Sequence, residues 1–229
     1  MSITPVEHAF ADADAQAQGL AEAVASRLRE GIAARGSAWI AVPGGETPRK
    51  FLAALARQAL EWLRVSVILT DERLVPADDP RSNARLLREV LLDQVPAKFF
   101  ALADVRSREM ASSMTAQELP QAFDCIVLGM GADGHCASLF ADGDSIAAAL
   151  NAGAPPAAMP LCSPSAPEPR VTLTLSALVA TRALFVLIRG VEKRRTLEAA
   201  LCGTEPFSQA PIRAVLEQAA VAPQIYWSP

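Results

Sequence analysis

The segment from residue 129 to residue 135 places an acid and a histidine in a glycine-rich turn. It reads Gly-Met-Gly-Ala-Asp-Gly-His, so Asp133 and His135 lie two positions apart among three glycines that let the backbone turn sharply beside a ligand. Unperturbed imidazole titrates at about pH 6.5, so it is largely neutral and basic at neutral pH. A lone histidine is more often structural than catalytic, but the position after a glycine-rich loop favours a functional His135.

Two further loops carry groups that could hold an anion. Gly44 and Gly45 precede a predicted helix, whose first N–H groups and dipole favour an anion, although a Gly-Gly turn before a helix is more often structural. Asp71-Glu72-Arg73 follows an apolar run, where three charged residues are costly unless they are solvated or paired. The triplet is either an exposed loop with a local ion pair or the source of an arginine that donates to a phosphate or a developing oxyanion.

Later in the chain, Arg170 and Lys193 are candidate phosphate partners. Lys193 lies among other basic residues between positions 189 and 195, which could simply form a solvated helix face. Ser176 has no G-x-S-x-G motif around it, so it is not predicted to be a nucleophile. His8 lies near a terminus that is expected to fray, and it is assigned no role.

These loops must be positioned by strands and helices, which alternate along the chain. Helices are predicted over 12–35, from position 48 onward, over 82–92 and over 191–201, and strands over 37–42, 65–69, 123–128, 184–188 and 225–227. The pattern predicts an α/β fold with an open, mostly parallel, doubly wound sheet, Rossmann-like, with helices on both faces and residues 1–229 forming a single domain. Ligands bind outside the carboxyl ends of such strands, so the three loops should converge at one edge.

The connections carry three more specific predictions. Thr47 is the candidate N-cap of the second helix, with Pro48 at its first helical position. Residues 70–81 are predicted to form a polar loop. Residues 151–169 contain six prolines and are predicted to form an ordered excursion or lid over one end of the sheet.

The composition argues against several classes of protein. The 229 residues carry a net charge of −4 and no basic tract, which argues against nucleic acid as a partner. No apolar run approaches the roughly 18 residues that span a bilayer, and the first fifteen residues contain three acids and no Lys or Arg, unlike a secretory signal. A cytoplasmic protein is therefore expected. Four widely spaced cysteines and only two histidines predict reduced thiols and no metal site.

Five stretches in register resemble the 6-phosphogluconolactonase family. They are 43–48 (Pro-Gly-Gly-Glu-Thr-Pro), 70–73 (Thr-Asp-Glu-Arg) with 82–83 (Ser-Asn), 128–140 (Leu-Gly-Met-Gly-Ala-Asp-Gly-His-Cys-Ala-Ser-Leu-Phe), 170–174 (Arg-Val-Thr-Leu-Thr) and 190–193 (Gly-Val-Glu-Lys). The resemblance implies a fold related to the glucosamine-6-phosphate deaminases, a phosphorylated sugar lactone of the pentose phosphate pathway as substrate, no cofactor and no obligate protein partner. It implies His135, Asp133 and Arg73 as catalytic residues. The residues predicted around the substrate are Gly44, Gly45, Thr47, Asp71, Gly131, Arg170 and Lys193.

Three positions depart from the pattern of that family. Glu46 stands where relatives often have a small or hydroxylic residue, and its charge would oppose a phosphate, so the side chain is expected to point away. Pro43 has no N–H group and cannot donate to an anion. Cys136 stands where threonine is common, and a thiol beside the catalytic histidine could be sensitive to oxidation.

The resemblance implies hydrolysis in which neutral His135 takes a proton from water as the water attacks the lactone carbonyl, while Asp133 orients either the imidazole or the water. A glucosamine-6-phosphate deaminase is the nearest alternative. The related deaminases usually follow this histidine with Ile-Ala-Phe-Asn-Glu, whereas this chain has Cys-Ala-Ser-Leu-Phe, and Arg73 replaces their aromatic residue. A non-catalytic sugar-phosphate sensor would need the phosphate site alone, and it usually carries a further domain for which 229 residues leave no room.

Overall fold

The computed structural model describes residues 4–102 and 118–229. Its strands are β1 (Val6–Ala9), β2 (Ala38–Val42), β3 (Val65–Leu69), β4 (Asp71–Arg73), β5 (Lys98–Phe100), β6 (Cys125–Gly129), β7 (Ala158–Leu161), β8 (Arg170–Leu173), β9 (Leu184–Arg189) and β10 (Gln224–Ser228). Its helices are α1 (Ala13–Arg35), α2 (Arg49–Ala56), α3 (Asn83–Leu87), α4 (Ile146–Ala149), α5 (Leu175–Val179), α6 (Val191–Cys202) and α7 (Pro211–Gln218). Within these residues no helix combines the length and the apolar character needed to cross a membrane.

Seven strands form a parallel sheet in the order β1-β10-β9-β6-β2-β3-β5, which confirms the predicted parallel α/β architecture. From β2 the chain continues to β3 on one side, whereas from β6 it continues to β9 on the other side. Because parallel crossovers are right-handed, connections that run in opposite directions place their helices on opposite faces of the sheet. The crevice between the carboxyl ends of β2 and β6 is therefore the switch point at which such sheets bind ligands.

The long first helix shows how local sequence sets an element's bounds. Asp12 Oδ1 accepts hydrogen bonds from the backbone N–H groups of Asp14 and Ala15 at 2.9 and 2.8 Å, which caps the beginning of α1. Gly36 ends the helix with a φ of 78°, a left-handed conformation that glycine adopts without steric cost. The helix predicted over 12–35 is confirmed.

A second sheet of three antiparallel strands, β4-β8-β7, follows the carboxyl end of β3. The prediction of a loop over 70–81 is therefore wrong for its first residues, which form β4. The segment 151–169 contains β7 as well as loop. Strand β4 escaped prediction because all three of its residues are charged and its partner β8 lies far along the chain. The register of this sheet sets Arg73 directly opposite Arg170.

Two helix predictions need correction at their ends. Thr47 is not an N-cap, because a turn over the preceding residues delays the helix: Pro48 is the capping residue and α2 begins at Arg49. The helix predicted over 82–92 begins as expected, with Ser82 as N-cap, but it consists of α3 and a π-helical turn over its second half. The loop before α2 is consequently longer by one residue than the sequence pattern indicated.

The two edges of the parallel sheet are short strands that were not predicted. Strand β1 pairs with β10, and His8 Nε2 lies 2.8 Å from Gln224 Oε1 while the His8 ring stacks on Tyr226 with 4.6 Å between centroids. The expectation that the terminus frays at His8 is therefore wrong. Strand β5 forms the other edge, where Phe100 packs on Trp39 with 4.6 Å between ring centroids. Both strands are partly exposed, so neither carries a strong apolar pattern.

Candidate active site

The segments that follow β2, β3 and β6 converge around a cleft of about 350 Å³ at the carboxyl edge of the sheet, and the segment after β3 contributes strand β4. Nine of the ten predicted site residues line this cleft, and the tenth, Asp133, contacts His135. The nine residues are Gly44, Gly45, Thr47, Asp71, Arg73, Gly131, His135, Arg170 and Lys193. Their roles in chemistry stay predictions, but their convergence from distant parts of the chain is a property of the fold.

The histidine and the acid of the glycine-rich loop are in direct contact. His135 Nδ1 lies 2.6 Å from Asp133 Oδ1, which also accepts a hydrogen bond from the His135 backbone N–H at 3.2 Å. The hydrogen bond with His135 holds the pKa of the Asp133 carboxyl below its usual range. Phe140 packs against the imidazole with 4.4 Å between ring centroids. A carboxylate that accepts from Nδ1 leaves Nε2 available as a proton acceptor, which is the arrangement of a general base.

Two glycines make this contact possible. A Cβ on Gly131 would lie 2.3 Å from Asp133 Oδ1 and 2.3 Å from His135 Nδ1, so any side chain at position 131 would occupy the space of the pair. Gly134 has a φ of 81° and donates its N–H to the carbonyl of Gly131 at 3.2 Å, which closes the turn. The glycines of this loop are therefore needed for the geometry of the two side chains and not only for flexibility.

The opposite wall of the cleft carries two arginines side by side. Arg73 and Arg170 face each other across β4 and β8, where like charges repel. Burial lowers the pKa of the Arg170 guanidinium, and the charge of Arg73 adds to that effect. Arg73 Nη1 donates to the backbone carbonyl of Arg81 at 2.6 Å, whereas Arg73 Nε is buried with no hydrogen-bond partner among the described residues. An anion between the two guanidinium groups would relieve the repulsion and satisfy the free donor.

A third cation comes from the far side of the cleft. Lys193 lies in the first turn of α6, where burial lowers the pKa of its ammonium group and the nearby carboxylate of Asp133 opposes that effect. Gly190, with a φ of 89°, starts this helix immediately after β9 and so brings the lysine to the carboxyl edge of the sheet. Three cations around one cleft suit a phosphate or a developing oxyanion in a protein whose overall charge is negative.

The first glycine loop is shaped by a residue to which the sequence analysis gave no role. A Cβ on Gly44 would lie 2.0 Å from Asn83 Cγ, so only glycine fits beside that amide. Asn83 Nδ2 in turn donates to the backbone carbonyl of Asp71 at 3.0 Å. Glu72 accepts from the backbone N–H groups of Asn83 and Ala84 at 2.8 and 2.7 Å and thereby caps α3, although burial raises the pKa of its carboxyl. The charged triplet of residues 71–73 thus contributes a structural glutamate, Glu72, between two residues that line the cleft.

The structure also bears on two of the expectations about departures from the family pattern. The Glu46 side chain is 86% exposed and forms an ion pair with Arg49 at 3.4 Å, although Glu46 also lies at the lining of the cleft, so its pointing away stays an expectation. Cys136 is fully buried, and burial raises the pKa of its thiol. A buried thiol that holds its proton is unreactive, which argues against the suggested sensitivity to oxidation. All four cysteines are free.

Comparison with known proteins agrees with this geometry. Residues 11–227 match the profile of the family described as glucosamine-6-phosphate isomerases/6-phosphogluconolactonase. The chain belongs to this family. It is 40% identical to the 6-phosphogluconolactonases of Mesorhizobium japonicum and Rhizobium meliloti, over 97% of this chain in each case and over 94% and 98% of those proteins. Its fold is similar to the crystal structure of a 6-phosphogluconolactonase from Shewanella baltica, with a TM-score of 0.89 and 36% identity over 100% of both chains.

Proposed function

We propose that this protein is a 6-phosphogluconolactonase, which hydrolyses 6-phospho-D-glucono-1,5-lactone to 6-phosphogluconate. The observation that carries the proposal is the contact of 2.6 Å between His135 and Asp133 in a cleft that also contains Arg73, Arg170 and Lys193. A general base beside a cluster of cations suits an ester carbonyl on an anionic substrate. The relatives that are 40% identical over nearly the whole chain carry the lactonase name, which supports the same substrate class.

Hydrolysis begins at the imidazole of His135. With the Nδ1–H group donating a hydrogen bond to Asp133, the lone pair of Nε2 accepts a proton from water as the water oxygen attacks the lactone carbonyl carbon. Asp133 therefore orients the imidazole rather than the water. The carbon becomes tetrahedral, and the former carbonyl oxygen takes the negative charge. As the intermediate collapses, the bond to the ring oxygen breaks and the imidazolium returns its proton to that oxygen. General-base catalysis of this kind contributes about 10²–10⁴-fold.

The three cations of the cleft stabilise two negative groups, the oxyanion of the intermediate and the phosphate of the substrate. Arg73 stabilises the oxyanion, because its guanidinium is held before the reaction starts and little energy is lost in reorienting it. The N–H groups of Gly131, Gly134 and His135 already donate within the glycine-rich loop, so they do not serve the oxyanion. Arg170 and Lys193 hold the phosphate together with the backbone of Gly44 and Gly45, which lies before the positive end of the α2 dipole. An arginine suits this position because its planar fork donates two parallel hydrogen bonds to one phosphate.

A glucosamine-6-phosphate deaminase would bind its substrate in the same kind of cleft, but this chain lacks the glutamate that deaminases carry after the histidine. The deaminases of this family use a glutamate after the histidine to assist ring opening, whereas residues 136–140 here are Cys-Ala-Ser-Leu-Phe and contain no acid. The only hydroxyl of that stretch, on Ser138, is already engaged with Asp71 at 2.6 Å. The site therefore favours a substrate that opens by hydrolysis of an ester over one that requires a separate proton donor for ring opening.

The proposal is tested by proton release from freshly prepared 6-phosphogluconolactone in weak buffer with a chelator present. The acid product ionises at neutral pH, so each turnover releases one proton. We expect the wild-type protein to accelerate the reaction well above its spontaneous rate, with no change on adding chelator. His135→Ala should reduce the enzymatic rate at least about 100-fold, since it removes the base.

His8→Ala is the matched control, because it removes the other histidine of the chain from a position on β1. This variant should retain the wild-type rate. Turnover by His135→Ala within about threefold of wild type would exclude His135 as the base. No acceleration by the wild-type protein would refute lactone hydrolysis, and ammonia release from glucosamine 6-phosphate would then test the deaminase.

The cytoplasmic location and the independence of any cofactor or protein partner stay predictions. Fractionation of cells that make the protein tests the location. Full activity of the purified, dialysed chain would support its independence, whereas activity that returns only on adding cell extract would contradict it.

A further inference from the structure

The carboxylate of Asp71 is buried in the wall of the cleft and forms no ion pair with the described basic residues, although its charge opposes the burial that lowers the pKa of the nearby Arg170 guanidinium. Asp71 is 7% exposed and lines the cleft. Within residues 4–102 and 118–229, no nitrogen of a basic side chain lies within 4 Å of its oxygens, although Arg73 and Arg170 line the same cleft. The hydroxyl groups of Ser138 and Thr70 donate to its Oδ2 and Oδ1 at 2.6 and 3.2 Å instead. A carboxylate removed from water needs such donors, because unsatisfied burial is costly.

Ser138 is held in place by a strained turn. It is fully buried, and its backbone N–H donates to Thr172 Oγ1 on β8 at 3.1 Å. The residue before it, Ala137, has a φ of 48°, in the left-handed region that residues with a Cβ rarely adopt. Such strain persists only where surrounding contacts over-determine the conformation. The turn that follows His135 therefore also fixes the hydroxyl that orients Asp71, and it ties the two sides of the cleft together.

We propose that Asp71 accepts a hydrogen bond from a ring hydroxyl of the lactone, and that Ser138 is the positioning residue that aims this carboxylate. The inference rests on the proposed function and deepens it, because it assigns recognition of the part of the substrate between the phosphate and the carbonyl. A carboxylate has about four acceptor sites, of which two are occupied here by protein hydroxyls. The substrate offers donors only in its ring hydroxyls, since its phosphate and carbonyl oxygens are acceptors.

This contact has a measurable signature in substrate preference. A site built to hydrogen-bond a hydroxyl rejects an analogue that lacks it, because the buried acceptor of the protein is left unpaired. Removing the recognised hydroxyl should lower kcat/KM by about 10- to 100-fold, as expected for a hydrogen bond to a charged group. Removing a hydroxyl that faces solvent should change kcat/KM far less.

The experiment compares 6-phosphogluconolactone with its 2-deoxy, 3-deoxy and 4-deoxy analogues by proton release. In the wild-type protein, we expect one analogue to show the loss of about 10- to 100-fold. In Asp71→Asn, the loss for that analogue should shrink to about 2- to 10-fold, because the amide oxygen that replaces the carboxylate is a neutral and therefore weaker acceptor. Ser138→Ala should weaken the same preference in part, mainly through KM. Ser176→Ala removes a buried hydroxyl from α5, outside the cleft, and should keep every wild-type preference.

The possible results distinguish a failure of the hydroxyl contact from a failure of the proposed function. Equal losses for all analogues in wild type and Asp71→Asn would overturn the inference while lactone hydrolysis stands. Should Asp71→Asn fail to fold, an unchanged preference in folded Ser138→Ala overturns it in the same way. If the wild-type protein does not hydrolyse the parent lactone, the proposed function has failed. Calorimetric binding of 6-phosphogluconate and its deoxy forms to wild type and Ser138→Ala then tests the hydroxyl contact alone, and equal affinity losses in both proteins refute it.

Discussion

Replacing Gly131 by alanine should separate the two residues of the proposed base while leaving the fold intact. The added Cβ would lie 2.3 Å from Asp133 Oδ1 and 2.3 Å from His135 Nδ1, far inside van der Waals contact. The backbone of Gly131 is outside the left-handed region, so an alanine can adopt its conformation. The clash therefore falls on the two side chains, which must move apart.

The size of the effect follows from the bond that is lost. A charge-assisted hydrogen bond contributes about 1.5–3 kcal/mol. The Asp133 side chain is 53% exposed, so screening by solvent favours the lower end of that range. At about 1.36 kcal/mol for each tenfold change in rate, kcat should fall about 10- to 50-fold. KM should change little, because the proposed phosphate ligands lie on other loops. The melting temperature should fall by less than about 2 °C, since a partly exposed ion pair adds little stability.

The assay is proton release measured alongside thermal unfolding, with Gly129→Ala as the matched control. A Cβ at Gly129 would meet nothing closer than Pro43 Cβ at 3.9 Å. This variant should keep kcat within about threefold of wild type, because it adds the same methyl group only two positions away, at the end of β6, without a clash. A Gly131→Ala variant with wild-type kcat would refute the reasoning. Equal losses in both variants would also refute it, because the cause would then be the stiffness of the loop.

Three further predictions concern stability and the anion site. Glu72→Gln turns an amide NH₂ toward backbone donors, so the free energy of unfolding should fall by about 2 kcal/mol and the melting temperature by about 4–8 °C, measured by circular dichroism. Arg170→Lys keeps the charge but loses the planar fork, so KM should rise about tenfold with kcat nearly unchanged in steady-state kinetics. Hydrogen bonds from Arg81 lower the pKa of Asp79 to about 2, so this carboxyl stabilises the fold above its unfolded pKa of about 3.9 and loses that effect as the pH falls toward 2. The difference in melting temperature between wild type and Asp79→Asn should accordingly shrink from pH 5 to pH 2.

The interior of the parallel sheet was predictable because burial on both faces leaves a local mark. All five residues of β3 are buried, and they read Val-Ser-Val-Ile-Leu, a nearly continuous apolar run. Strand β4 left no such mark, because its three residues are charged and no local pattern encodes its pairing with β8 or the contact of Glu72 with α3. Strands β1 and β5 are short and partly exposed, so their pairing depends on distant partners.

In the cleft, too, contacts between residues close in the sequence could be predicted, whereas contacts between distant residues could not. Asp133 and His135 could be paired from the sequence because they are two positions apart in one loop. The contact between Ser138 and Asp71 joins residues 67 positions apart and depends on the left-handed conformation of Ala137, which residue type does not favour. Asn83 was visible only as part of a family stretch, since its fit against Gly44 is a matter of tertiary packing.

The pairing of β1 with β10 constrains how the sheet can be completed while the chain is being synthesised. Val6 lies opposite Gln224, and the bond between His8 and Gln224 joins residues 216 positions apart. Strand β1 leaves the ribosome before the other described strands, yet among them its partner is β10 alone. Until β10 emerges, β1 has no place in the sheet and β9 presents an open edge to other nascent chains. The last pairing step of the sheet therefore waits until β10 has been synthesised, and it closes a loop of more than two hundred residues.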